Sequence, residues 1–308
     1  MKNRRSILLI SGSGRSGTTI LSLLLSQGRS ILNVGQLRDI WAGWAKPVIC
    51  ACGEELGSCS LWGTLVDIVC PDRDIDKIKS SQKAMRNFLK DAGKQKNWMN
   101  EKILSELAER HAGFLDELQR LLNALFEKSD ARVIVDSSKS PEFALAVHMT
   151  DIADVYVLNV ARDPRAVAYS WRCKGTANVP RQMDAWLERQ KRLSSWSETA
   201  HLKHRRLRYE DFARNPEPYL SDILNWVGEV LPPDIFTGKN SVCLSWDGQH
   251  IYPPANEKVL AEKLEVQQIK APIEWRSVKH WRLHFSALSD TFPTGPLYIL
   301  GTMFRTKY

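Results

Sequence analysis

A short apolar run that breaks into glycines constrains this chain more than any other feature. Ser6-Ile7-Leu8-Leu9-Ile10-Ser11 leads directly into Gly12-Ser13-Gly14-Arg15-Ser16-Gly17-Thr18-Thr19. The run is too brief for a helix and is bounded by glycine, so it reads as a buried strand. Thr18 to Gln27 then reads as a helix, with Ile20, Leu21, Leu23, Leu24 and Leu25 covering most of its circumference. A glycine-rich loop between strand and helix offers backbone N–H groups, and the helix N-terminus adds its exposed amides. Together they make a site for a phosphate-type anion. Glycine lets the backbone approach closely, while Ser16, Thr18 and Thr19 add hydroxyl donors. Gly12 and Gly17 have the glycine spacing of a Walker A loop, but Thr18 stands at its lysine position and the cation is Arg15, inside the loop. A kinase or NTPase needs that lysine for the β/γ-phosphates, so the loop argues against a nucleoside triphosphate. The bland alternative, a flexible glycine turn, fits the strand–loop–helix context less well.

The same rhythm recurs downstream. Arg132-Val133-Ile134-Val135-Asp136 and Val155 to Ala161 read as strands, and Arg206-Leu207-Arg208-Tyr209 as a weaker one. Pro141 and Pro164 stand where helices should open, and a further helix runs from about Pro216 to Val227. This alternation predicts an α/β fold, a three-layer sandwich with a central parallel sheet and helices on both faces. The stretch from about Gly28 to Asp130 interrupts it. That stretch holds a Cys/Trp-rich loop and then helices, the clearest over Glu101 to Phe126, whose leucine stripe has helical spacing and reads as core. The expected organisation is one domain over 1–308 with a helical insertion at about 40–130. Lying between the first two predicted strands, the insertion is placed to lean over the strand ends as a lid. The tail from Pro232 shows no clean period.

A second anion element closes the third strand, in Arg162-Asp163-Pro164-Arg165-Ala166-Val167-Ala168-Tyr169-Ser170. Arg162 leaves the strand where open α/β sheets bind ligands, outside the carboxyl ends. Ser170 falls about two turns along the helix that Pro164 opens. Two anion grips on neighbouring strand ends fit a nucleotide phosphorylated at two separate positions. Arg162 taken alone is equally a surface arginine.

Composition narrows the partners. The 308 residues carry a net charge of +8, with 43% hydrophobic and 25% charged residues, which excludes a mainly disordered or fibrous chain. The excess favours an anionic partner, and no nucleic-acid module is legible. Lys2, Arg4 and Arg5 before the apolar run look like the start of a signal peptide, but the glycines and Arg15 spoil the apolar region it needs. No stretch approaches the roughly 20 apolar residues of a membrane span, so a cytoplasmic protein without a span is expected.

Taken together, the two anion elements resemble the PAPS-dependent sulfotransferases, which use 3′-phosphoadenosine 5′-phosphosulfate (PAPS) as donor. Arg15-Ser16-Gly17-Thr18-Thr19 resembles their 5′-phosphosulfate loop, and Arg162 with Ser170 their 3′-phosphate element. Val135 to Pro141, with Lys139, and Arg208-Tyr209-Glu210-Asp211-Phe212 with Asn215-Pro216 are similar to further family segments. Cys50-Ala51-Cys52-Gly53 through Cys59-Ser60-Leu61-Trp62 resembles a loop frequent in bacterial members. The resemblance covers about residues 6–40 and 132–228 and is faint after Pro232, where Trp275-Arg276 or Trp281-Arg282 would have to supply a closing basic segment. It implies a P-loop NTPase-like sulfotransferase core and metal-free transfer of a sulfuryl group to a hydroxyl or amine of a small-molecule, carbohydrate or tyrosyl acceptor. Gly14, Arg15, Ser16, Gly17, Thr18, Thr19, Arg162 and Ser170 would hold the nucleotide, and Arg15 and Lys139 would face the developing charge.

One departure stands at the base. Where many relatives have Gly-Glu-Leu, this chain has Gly35-Gln36-Leu37. A glutamine amide can orient a hydroxyl but cannot take its proton. Three alternatives stand: another carboxylate, Asp39 or Asp136, does the job; the acceptor is itself acidic; or the protein binds PAP or PAPS with little catalysis. A P-loop nucleotide kinase is the remaining rival. Cys50, Cys52 and Cys59, with Cys70 as a possible fourth, are read mainly as reduced thiols, with a disulfide or a metal as alternatives. His201 and His204 lie in a basic patch read as solvated. His280 and His284 lack the surroundings of a zinc motif.

Overall fold

The computed structural model describes residues 5–95, 97–98, 100–175, 179–197, 203–252, 262–263 and 265–270. Trp275, Arg276, Trp281, Arg282, His280, His284 and His201 lie outside the described residues. Five strands form one sheet: β1 (Ser6–Gly12), β2 (Ile31–Gly35), β3 (Val133–Asp136), β4 (Asp154–Ala161) and β5 (Lys203–Arg208). Their order is β2-β3-β1-β4-β5. Every pairing is parallel, with Ser6 opposite Val133 on one side and Asp154 on the other. The helices are α1 (Thr18–Leu25), α2 (Ile40–Trp44), α3 (Trp62–Val69), α4 (Ile75–Lys94), α5 (Glu101–Arg110) and α6 (Ala112–Ser129) before β3. After it come α7 (Pro141–Met149), α8 (Pro164–Arg172), α9 (Val179–Ser197), α10 (Tyr209–Arg214) and α11 (Pro216–Trp226).

Strand β1 explains the layering. All seven of its residues are buried. Ile7 and Leu9 point into a core shared with Phe88 of α4, Leu118 of α6 and Phe143 of α7. Leu8 and Ile10 point into a second core, with Leu21 and Leu24 of α1 and Leu220 and Leu224 of α11. A strand buried on both faces has no polar side to alternate with, so it reads as one unbroken apolar run. Pro141 and Pro164 open α7 and α8, and the residue before each caps the helix. Ser140 Oγ accepts from Phe143 N at 3.2 Å, and Asp163 Oδ1 from Arg165 N at 2.9 Å.

Several expectations change. β2 lies inside the stretch that reads as an interruption; it has five residues, and its central Asn33 spends its side-chain carbonyl on Gly35 N at 3.0 Å. The helix expected over Glu101 to Phe126 is two helices. His111 breaks it with φ −118° and ψ 22°, its ring set edge-on to Phe88 at 5.4 Å and its Nε2 3.2 Å from Asp91 Oδ2. The insertion is not a lid over the strand ends: α4 and α6 pack on the sheet face through the first core. Beyond Pro232, β6 (Phe236–Gly238), β7 (Ser241–Cys243) and β8 (Val266–Gln268) make a small antiparallel sheet. Among the described residues no helix is long and apolar enough to cross a membrane.

Candidate active site

The carboxyl ends of β1, β2, β3 and β4 open into one cavity of about 650 Å³. Its wall carries Arg15, Arg38, Lys139, Arg162, Lys174, Arg189 and Lys270, and no carboxylate among the described residues. Gly14, Gly17, Thr18, Thr19, Gln36 and Ser170 share that wall. None of the insertion helices α2–α6 contributes to it.

The loop after β1 is shaped by what presses on it. At Gly17, φ is +82° and a β-carbon would stand 2.0 Å from the Tyr209 ring. At Gly12, φ is +133° and a β-carbon would stand 2.4 Å from the Val160 carbonyl oxygen. Glycine alone satisfies both the torsion and the space. Arg15 and Lys139 also have positive φ, 68° and 59°. A left-handed backbone costs a non-glycine residue about 1–2 kcal/mol, so two strained residues on one cavity wall are a feature that the fold maintains there.

The two predicted anion elements meet. Arg15 Nε donates to Ser170 Oγ at 2.9 Å, and Arg162 Nη1 donates to the Arg15 carbonyl at 2.8 Å. The Arg162 guanidinium lies over the Tyr209 ring, 5.1 Å from its centroid, and Tyr209 Oη donates to the Lys270 carbonyl at 2.8 Å. Arg189 Nη1 donates to the Gly12 carbonyl at 2.9 Å. Burial and then the neighbouring Arg162 charge lower the Arg15 pKa. Burial lowers that of Arg189. At Arg38 burial acts in the same direction, but the Asp39 hydrogen bond and the charges of Asp39, Asp136 and Glu142 outweigh it and raise the pKa. Lys139 falls to about 8, chiefly by burial, with Arg38 and Arg189 adding to the fall and Asp136 opposing it. Burial thus disfavours the charge on Arg15, Lys139 and Arg189, and an anion in the cavity would restore it.

The remaining predicted residues are placed differently. Ser16 is fully buried off the cavity wall, and its hydroxyl has no hydrogen-bond partner among the described residues. Asp136 is also buried off the wall. Its Oδ1 accepts from Ser138 N and Ser138 Oγ, both at 2.6 Å, and burial pushes its carboxyl up to about 6. It shapes the turn that presents Lys139, whose Nζ donates to the Ser137 carbonyl at 3.0 Å. Asp39 is engaged by Arg38 at 2.9 and 3.2 Å and lies off the wall. Gln36 is on it. Sequence reasoning missed Arg38, Lys174, Arg189 and a role for Tyr209. Arg189 lies in α9, a charge-rich stretch with no anion motif of its own, and the packing of α9 on β1 turns it inward. Cys70 stands apart from the other three insertion cysteines and donates to Asp72 Oδ1 at 3.2 Å.

Fold and site together define an α/β protein with a strongly basic, ligand-sized cavity at the carboxyl ends of a parallel sheet. The chain belongs to the sulfotransferase family, whose sequence model matches residues 8–233. Among solved structures it is distantly similar to the sulfotransferase domain of the Synechococcus PCC 7002 olefin synthase, at 15% identity and TM-score 0.44, covering 94% of this chain and 97% of that one. It is also similar to the sulfotransferase domain of the curacin biosynthetic pathway, at 18% identity and TM-score 0.44, covering 92% and 96%. A third likeness is to sulfotransferase STF9 from Mycobacterium avium, at 15% identity and TM-score 0.42, covering 76% and 66%. No curated protein matches the chain.

Proposed function

We propose that this protein transfers a sulfuryl group from PAPS to an acceptor hydroxyl or amine. One observation carries the reading: Arg15, Ser170 and Arg162 form a single bonded unit on a cavity wall of cations without a described carboxylate. That donor set fits an anionic ligand. The bound donor supplies the transferable sulfuryl group and a phosphate leaving group. The loop amides from Gly14 to Thr19 and the Arg15 guanidinium would hold the 5′-phosphosulfate. Arg162 and Ser170 would hold the 3′-phosphate and so exclude simple adenosine nucleotides. Lys139 and Arg38, on the same cavity wall, would stabilise charge that builds on the leaving oxygen, and donors fixed before reaction act without reorganisation cost. Thr18, at the lysine position of a triphosphate loop, weighs against a kinase.

Gln36 cannot accept a proton, and Asp39 and Asp136 lie off the wall. This arrangement supports an acceptor acidic enough to need little base assistance, such as a phenol. It also supports a second reading, a protein that binds the nucleotide without transferring from it. Calorimetry with PAP, the desulfated product, followed by transfer from labelled PAPS to matched phenolic and alkyl hydroxyls, separates them. Expected are PAP binding that excludes adenosine 5′-phosphate, and transfer favouring the phenol. Absence of PAP binding overturns the proposal, and binding without transfer to any acceptor establishes the second reading.

A further inference from the structure

We propose that Cys50, Cys52, Cys59 and His250 form a structural zinc site that ties the insertion to the C-terminal segment beside the active cavity. The four ligand atoms all lie within 4.8 Å of one another. Cys59 Sγ is 3.7 Å from both Cys50 Sγ and Cys52 Sγ, and 3.2 Å from His250 Nδ1. A tetrahedral ion with Zn–S bonds of about 2.3 Å sets its sulfurs about 3.8 Å apart, and a sulfur and a nitrogen about 3.6 Å apart. All six cysteines of the chain are free thiols. Three thiols and an imidazole are a closed, four-ligand zinc set, the pattern of structural rather than catalytic sites.

The surroundings are those of a metal knuckle. The backbone N–H groups of Leu61 and Trp62 donate to Cys59 Sγ, and that of Cys52 donates to Cys50 Sγ. Such outer bonds fix thiolate ligands and spread their charge. The loop folds on itself, with Cys50 N donating to the Glu54 carbonyl and Cys59 N to the Glu55 carbonyl, both at 2.8 Å. His250 arrives from nearly two hundred residues away. Its carbonyl accepts from Trp62 Nε1 at 2.9 Å, and the next carbonyl, of Ile251, accepts from Ala51 N at 3.1 Å. Sequence spacing gave no hint of this fourth ligand, because only tertiary structure brings it in. Tyr252 then pairs with Gly35, where a β-carbon would stand 2.1 Å from the Tyr252 carbonyl. The site therefore braces the segment that backs Gly35 and, next to it, Gln36.

The test reads metal directly and does not depend on sulfotransfer. Full-length protein purified under reductant is assayed for metal by mass spectrometry, then stripped, and the reduced apoprotein is titrated with Co²⁺. Expected are about one zinc per chain and the thiolate charge-transfer and d–d bands of tetrahedral cobalt. Cys59→Ser and His250→Ala should each lose stoichiometric metal, and Cys70→Ser should keep it. Metal-free protein whose apo form gives no cobalt bands overturns the proposal even if the variants fail to fold. So does a Cys50–Cys59 or Cys52–Cys59 disulfide in freshly isolated protein, or metal lost in Cys70→Ser and kept in His250→Ala.

Discussion

The charge on Lys139 should set how nucleotide affinity depends on pH. Its side chain is half-buried on the cavity wall, and burial brings its pKa from 10.5 down to about 8. A depressed lysine loses its positive charge as pH rises through that value. With a pKa near 8 it is about nine-tenths charged at pH 7 and about one-tenth charged at pH 9. If PAP binds only the charged form well, affinity falls about ten-fold over that interval, or about 1.4 kcal/mol. Lys139→Arg supplies the control, because a guanidinium keeps its charge throughout. Titration calorimetry of both proteins with PAP, at fixed ionic strength from pH 7 to 9, reads the difference directly. Ionisation of the nucleotide itself is common to both and cancels. Expected is a falling profile for the wild type against a flat one for the variant. Parallel profiles, or wild-type affinity that rises with pH, would refute the assignment of Lys139 to the anion.

Further outcomes follow from the same geometry. Arg162→Ala should weaken PAP by about 10- to 100-fold, the worth of a charged hydrogen bond, and so narrow its preference over adenosine 5′-phosphate; unchanged PAP affinity in calorimetry would remove Arg162 from the 3′-phosphate. Gly17→Ala forces a β-carbon onto the Tyr209 ring at φ +82° and should cost about 1–3 kcal/mol along with PAP binding; a wild-type melting curve would contradict it. Asp136 has its folded pKa raised by burial from 3.8 to about 6, so the folded state disfavours its charge. The contribution of Asp136 to stability is then greatest below pH 4 and declines as pH rises to 6. Asp136→Asn, which keeps an acceptor for Ser138, should melt higher than wild type above pH 6, by up to about 3 kcal/mol, and match it near pH 4. Thermal melts across that range decide the sign.

Local pattern carried much of the frame. β1, β3 and β4 are apolar runs because both faces of the sheet are covered, and the proline-opened helices after β3 and β4 carry their caps in the preceding residue. The Arg15 loop and the Arg162–Ser170 pair were legible for the same reason: each is a local motif at a strand end. β2 escaped notice because a five-residue strand with a buried Asn33 has almost no pattern of its own. The helix break at His111 arises from contacts with Asp91 and Phe88, both about twenty residues away in the chain.

The sequence by itself thus determined the parallel sheet, the glycine loop after β1 and the Arg162–Ser170 element after β4, because strand, glycine turn and helix cap are encoded within a few residues. Tertiary structure alone decided the rest of the site. It turned Arg189 inward onto the Gly12 carbonyl, laid Tyr209 against Gly17, sank Asp136 beneath the Lys139 turn, and brought His250 to three cysteines nearly two hundred residues away. Those groups act through distance and burial, and neither is written in spacing along the chain.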